Sequence, residues 1–251
     1  MFEALLAGRI NTEGLEFDVK FTDIEQLNSE ALDGKPDVTK LSYAILPEVA
    51  GAYKILNSGS ALGRGNGPLL VSRGDVDDIG AAPRVAIPGL HTTANMLMSR
   101  LFPKLINKTP VLFSEIAERV AAGDFDAGVL IHEGRFTYRE QGLQLVADLG
   151  ERWEAATGLP LPLGAIAASR GLAPEVARRI DRVLGRSIEY AMANLSVSYD
   201  FVRKHAREMD EAVIRSHIAL FVNDFSLELG AEGRRAVCEL TGIGESDIFV
   251  Q

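Results

Sequence analysis

Short apolar runs alternate with capped, helix-like stretches from Leu15 to about Ala168, and the remainder reads as helical to about Leu240. This alternation constrains the fold more than any other feature, because strands separated by helices pair into an open α/β sheet. Ala127 to Ile131 is an unbroken apolar run, which marks a strand covered on both faces. Further strands are expected at Leu15–Phe21, where apolar residues recur at period two, and at Val38–Leu41, Leu69–Ser72, Arg84–Ile87, Val111–Leu112, Gln144–Asp148 and Gly164–Ala168. Helices are expected through Ala31 behind an Asp23 cap, from Tyr43 to Tyr53 behind a Ser42 cap, and through Leu101 from an opening at His91, Thr92 and Thr93. Others should run from Glu115, capped by Ser114, to Ala122 and onward from Pro174. In the last of these, Val176, Ile180, Val183, Leu184 and Ile188 form one stripe.

An α/β half followed by a helical tail is compact only if the tail packs back on the first half. Two segments read as crossings between lobes. One is Pro68–Arg73, after the glycine-rich turn Ser58–Pro68. The other is Pro160–Arg170, whose prolines suit a sheet edge better than an interior. The expected architecture is therefore a discontinuous first lobe of residues 1–72 and 171–251, a second lobe of residues 73–170, and a cleft between them.

Composition narrows the partners. The net charge of −9 repels phosphate backbones and argues against nucleic acid. Cys238 is the single cysteine, so neither an intrachain disulfide nor a cysteine-rich zinc site can form. No run approaches the roughly 18 apolar residues of a membrane helix. Met1–Ile10 lacks the basic region of a signal peptide, and a cytoplasmic location is the expectation.

Ligands in open α/β sheets bind at the carboxyl ends of strands. Three such ends carry polar residues: Thr39-Lys40-Leu41-Ser42, Gly89-Leu90-His91-Thr92-Thr93-Ala94 and His132-Glu133-Gly134-Arg135. His132 directly follows the buried strand, and an imidazole there suits general-base work at neutral pH. The alternative is a hydrogen-bonded histidine that holds a loop. Thr92 and Thr93 open a helix whose free amides suit a carboxylate or phosphate, or they simply cap it. Lys40 and Ser42 suit an anion in the same way, or are a solvated lysine beside a capping serine. His91 reads as an orienting residue, and His205 and His217 as surface or packing residues. Gly63-Arg64-Gly65 matches neither a Walker loop nor a dinucleotide fingerprint, and no carboxylate–histidine cluster suggests a metal.

Taken together, several strings resemble the 1,4-dihydroxy-6-naphthoate synthases of the futalosine route to menaquinone. They are Thr39-Lys40-Leu41-Ser42-Tyr43-Ala44, Ala61-Leu62-Gly63-Arg64-Gly65 and Pro88-Gly89 with His91-Thr92-Thr93-Ala94. Further on they are Ile131-His132-Glu133, the segment Gly158 to Ala165, and Val222-Asn223 with Phe225-Ser226-Leu227. The resemblance implies the two-lobed fold of type 2 periplasmic binding proteins. It also implies a carbon–carbon lyase acting on cyclic dehypoxanthine futalosine, without metal or organic cofactor. By the same resemblance His132 is the proton acceptor, and Lys40, Leu41, Ser42, Thr92, Thr93 and Ala94 bind a small carboxylate substrate. A homodimer is the expectation for an enzyme of this kind. Members of the family begin with a strand and a Ser-Pro-Cys-Pro-Asn-Asp-type loop, which this sequence does not show, so the first lobe is expected to lack that strand. Chorismate dehydratase, a sister enzyme of the same fold, and a solute-binding protein for a small carboxylate are the competing expectations.

Overall fold

A computed structural model describes residues 1–74, 83–197, 201 and 211–250. In chain order the strands are β1 (Val38–Ser42), β2 (Tyr53–Ile55), β3 (Ala61–Gly63), β4 (Leu69–Ser72), β5 (Val85–Ile87), β6 (Lys108–Pro110), β7 (Ala127–Leu130), β8 (Gln144–Asp148) and β9 (Leu161–Ser169). The helices are α1 (Glu3–Leu6), α2 (Ile24–Leu32), α3 (Leu46–Val49), α4 (Thr93–Leu101), α5 (Ile116–Ala122), α6 (Gly134–Thr137), α7 (Leu149–Thr157), α8 (Pro174–Ala193), α9 (Glu211–Phe221), α10 (Asp224–Leu227), α11 (Gly230–Thr241) and α12 (Glu245–Ile248).

The strands form two sheets. In the first, β9 is central and antiparallel to β1, β2 and β3. The second has the order β6-β5-β7-β4-β8, with β5 parallel to β6 and β7, and β4 antiparallel to β7 and β8. The chain leaves the first sheet between β3 and β4 and returns between α7 and β9.

Sheet membership moves both expected boundaries toward the N-terminus. β4, expected in the first lobe, lies inside the second sheet, and β9, expected in the second lobe, is the centre of the first. The proline-rich Gly158–Pro162 segment therefore starts the most buried strand of the first sheet. Pro160 precedes the ladder and its carbonyl accepts from Trp153 Nε1 at 3.2 Å, while Pro162 lies in the strand opposite Leu62, beside the register shift between Ala61 and Leu62.

Three local expectations change. Leu15–Phe21 forms no strand and pairs with none of the described strands, and Val19 and Phe21 are exposed. The run from Tyr43 is a 3₁₀ turn and the short α3, and Tyr53 begins β2. The strand expected at Val111–Leu112 is carried by Lys108–Pro110, although the Val111 amide still donates to the Ile87 carbonyl at 2.9 Å. Glycine decides one close approach. A Cβ on Gly67 would lie 2.3 Å from Gly150 Cα, so the first crossing and the start of α7 touch through bare backbone.

One apolar cluster runs through both sheets, from Leu41, Tyr43 and Ile55 in the first lobe to Leu70, Val85 and Leu97 in the second. A smaller cluster packs α5 on the second sheet, and a third packs α8 on the first, through Ala177, Ile180, Leu184 and Ile188. Because the main core is shared, the strand ends of the two lobes are held facing one another.

Candidate active site

An open cavity of about 680 Å³ lies between the lobes. Lys40 and Ser42 of β1, Thr92, Thr93 and Ala94 at the start of α4, and His132 after β7 all line it. The three polar strand ends singled out in the sequence thus converge. Leu41 does not line it. Alternation along β1 turns Leu41 to the opposite face, where it is fully buried in the shared core.

A second open cavity, of about 1190 Å³, adjoins the first. Lys40, His132 and His217 line both, and Asp23, Phe113 and Glu133 line the second. His217 is the residue that sequence reasoning misplaced: it is a cavity residue and not a surface or packing one. It lies on α9, and its spacing of four from Phe221 puts both on one helix face. That spacing was visible in the sequence, but the packing that brings α9 to the β7 end was not. His205 lies outside the described residues.

His132 has φ of 54°, in the left-handed region that residues other than glycine seldom occupy. Its ring packs edge-on against Phe113 at 5.1 Å between centroids, and His217 Nε2 lies 3.4 Å from His132 Nδ1. The His217 ring lies 4.6 Å from that of Phe221. Burial pushes the His132 pKa down to about 3, with Lys40 and His217 adding to the effect. Burial and Lys40 bring His217 down to about 4. Both imidazoles are therefore neutral at pH 7, the form in which a ring nitrogen can accept a proton.

Lys40 has no acidic or hydrogen-bonding partner among the described residues, and burial lowers its pKa. An ammonium in that position calls for an anion. Ser42 is oriented by Asn28, which is fully buried, accepts from the Ser42 amide at 2.8 Å and donates to Ser42 Oγ at 3.1 Å. The serine hydroxyl hydrogen remains available to a ligand. At α4 the hydroxyls are committed: Thr92 Oγ1 accepts from the Asn95 amide and donates to the Gly89 carbonyl, and Thr93 Oγ1 donates to the Leu163 carbonyl at 2.8 Å. What the helix start still offers is the amides of Thr93 and Ala94, which have no carbonyl within their own helix to bond.

Polar contacts bridge the lobes beside the cavity. Glu25 on α2 accepts from the His91 amide and lies 2.7 Å from His91 Nδ1, and Asn28 Nδ2 donates to the His91 carbonyl at 3.3 Å. His91 thus orients the loop before α4, as its position suggested. Arg64 is turned away from the cavity, toward Glu232 and the Gly158 carbonyl. Among the described residues no group of three or more His, Cys, Asp or Glu is placed to hold a metal ion, and no helix is long and apolar enough to cross a membrane.

Two α/β lobes around a cleft give the chain the fold of the periplasmic-binding-protein class. Solved solute-binding proteins share the fold. The ligand-binding component of an ABC-type import system from Staphylococcus aureus superposes with a TM-score of 0.63 at 12% identity, over 92% of this chain and 84% of that one. A protein of Archaeoglobus fulgidus solved by X-ray crystallography reaches 0.91 at 31% identity, over 98% and 91%. The chain belongs to the menaquinone-biosynthesis family, whose model matches residues 1–246. The 1,4-dihydroxy-6-naphthoate synthase of Thermus thermophilus is 44% identical over 246 residues, which is 98% of this chain and 89% of that enzyme. The synthase of Streptomyces coelicolor is 42% identical, over 94% and 85%.

Proposed function

We propose that the chain is a lyase that converts cyclic dehypoxanthine futalosine to 1,4-dihydroxy-6-naphthoate, with His132 as the proton acceptor. The observation that carries this reading is the juxtaposition in one cleft of a neutral, half-buried imidazole with a lysine that has no acidic partner among the described residues. The two curated relatives support the reaction. In this reading Lys40, the Ser42 hydroxyl and the Thr93 and Ala94 amides hold the substrate carboxylate. Leu41 contributes through the strand that aligns its two neighbours. Burial is the main cause of the low basicity of His132 and the Lys40 charge adds to it; the anion offsets the Lys40 part, so binding strengthens the base. His132 takes a proton from the substrate, the electron pair left behind drives cleavage of the carbon–carbon bond, and a three-carbon sugar-derived fragment leaves. Formation of the aromatic naphthoate then draws the reaction forward. The reading places the reaction in the cytoplasm and involves no cofactor.

The test is turnover of cyclic dehypoxanthine futalosine by this chain and by His132→Asn, with naphthoate followed by chromatography and absorbance. Product from the parent and a loss of about 100-fold or more in the variant are expected, the range for a positioned general base. Equal turnover by both would remove His132 from the chemistry. Tight binding without product from the parent would turn the reading toward a solute-binding protein.

A further inference from the structure

His132 and His217 reach each other from different lobes. His132 follows β7 of the second sheet, and α9, which carries His217, packs against β3 of the first. Their contact joins Nδ1 of one ring to Nε2 of the other at 3.4 Å. Among the described residues neither ring has another hydrogen-bond partner. Phe221 lies beside His217, and Phe113 and Phe221 flank His132, so the pair sits in an aromatic sleeve that limits ring rotation.

Two arrangements of the shared hydrogen are possible, and they differ in consequence. If His217 donates, the hydrogen of neutral His132 is on Nε2, and the nitrogen left for substrate cannot accept a proton. If His132 donates through Nδ1, its Nε2 lone pair is free.

We propose that His217 is a positioning residue for the reaction: its Nε2 accepts from His132 Nδ1, which fixes His132 in the form whose Nε2 can take the substrate proton. The proposal rests on the reading of His132 as the proton acceptor. When Nε2 takes the proton, the electron pair of the bond that held it stays with the substrate. The Nδ1 hydrogen stays on His132, and the resulting imidazolium keeps a neutral acceptor at its other end. A carboxylate in that position would make the resting pair more readily protonated; a second imidazole does not. Lys40 faces both rings and disfavours a proton on either until an anion arrives. Asp23 and Glu133, on the adjoining cavity, are the other charged groups nearby.

The experiment compares wild type, H217F and H217Q. Phenylalanine keeps the ring packing and removes the acceptor, while glutamine supplies an amide oxygen near the place of Nε2. Nitrogen NMR of ¹⁵N-histidine-labelled protein at pH 7.5 reads the position of the hydrogen on His132. The Nδ1–H form is expected in wild type and H217Q, and the Nε2–H form in H217F. The kcat of H217F should fall about 10- to 100-fold, as for loss of a hydrogen bond to a charged group, with KM changed less than about threefold. H217Q should recover most of the loss. An Nε2–H signal in folded wild type, or the same signal in wild type and H217F, would overturn the proposal even if H217F proved poorly active. Failure of the underlying reading looks different: His132→Asn would then retain turnover whatever the tautomer.

Discussion

Acid should destabilise the ligand-free protein through two residues, and removing them should abolish that part of the response. In the folded chain His132 and His217 hold pKa values near 3 and 4, below the ordinary 6.5. Above pH 6.5 they are neutral whether the chain is folded or not, and they impose no penalty. As pH falls, the unfolded chain gains two protons that the folded one refuses, so stability drops from about pH 6.5 until the folded pKa values are reached. Each imidazole costs about 1.4 kcal/mol per pH unit over that range. Between pH 7.5 and pH 5.0 this amounts to roughly 2 kcal/mol per ring and about 4 kcal/mol for the pair. Other groups titrate in the same window. Burial raises the Asp181 carboxyl, for example, which acts in the opposite sense. A comparison with H132N/H217Q cancels them. Urea unfolding at 25 °C, at four pH values from 7.5 to 5.0, should show wild type losing several kcal/mol more than the double variant. Parallel pH dependences would refute the argument and mean that the rings reach solvent in the folded state.

Two further outcomes follow from the same geometry. Lys40→Met removes a charge that burial disfavours, so the ligand-free variant should gain about 1 kcal/mol, or a rise of roughly 2–4 °C in melting temperature. The substrate KM should rise at least about tenfold, and a variant both less stable and unchanged in KM would contradict the anion role. Gly67→Ala forces a methyl group into the Gly150 backbone and should cost about 2–3 kcal/mol, read as a lower urea midpoint; an unchanged midpoint would show that the crossing can shift freely.

The strand ends were legible because strand-then-polar-turn is a local pattern. Val38–Ser42, Arg84–Ile87 and Ala127–Ile131 each carry their own apolar signal, and each ends where the cavity begins. The faces of the strands were less legible. Leu41 lies between two cavity residues in sequence and on the other side of the sheet in space. The boundaries were misplaced for a different reason: β4 and β9 read as generic apolar strands, and only pairing reveals which sheet each joins. Leu15–Phe21 shows the converse, a period-two pattern that forms no strand because a ladder needs a neighbour as well as a pattern. His217 was hidden for the most general reason. A histidine on an amphipathic helix has no local mark of function, and its partner is 85 residues away.

The backbone at His132 carries one more implication. A left-handed φ at a residue with a Cβ costs on the order of 1 kcal/mol, and glycine or asparagine would relieve it. The proposed proton acceptor therefore occupies a position where the folded state alone favours other residues. A library screened only for expression or heat resistance should accumulate His132→Gly and His132→Asn, and so drift toward inert but sturdier proteins. Any effort to stabilise this fold would need selection for turnover in the same round, because at this position robustness and chemistry pull the sequence apart.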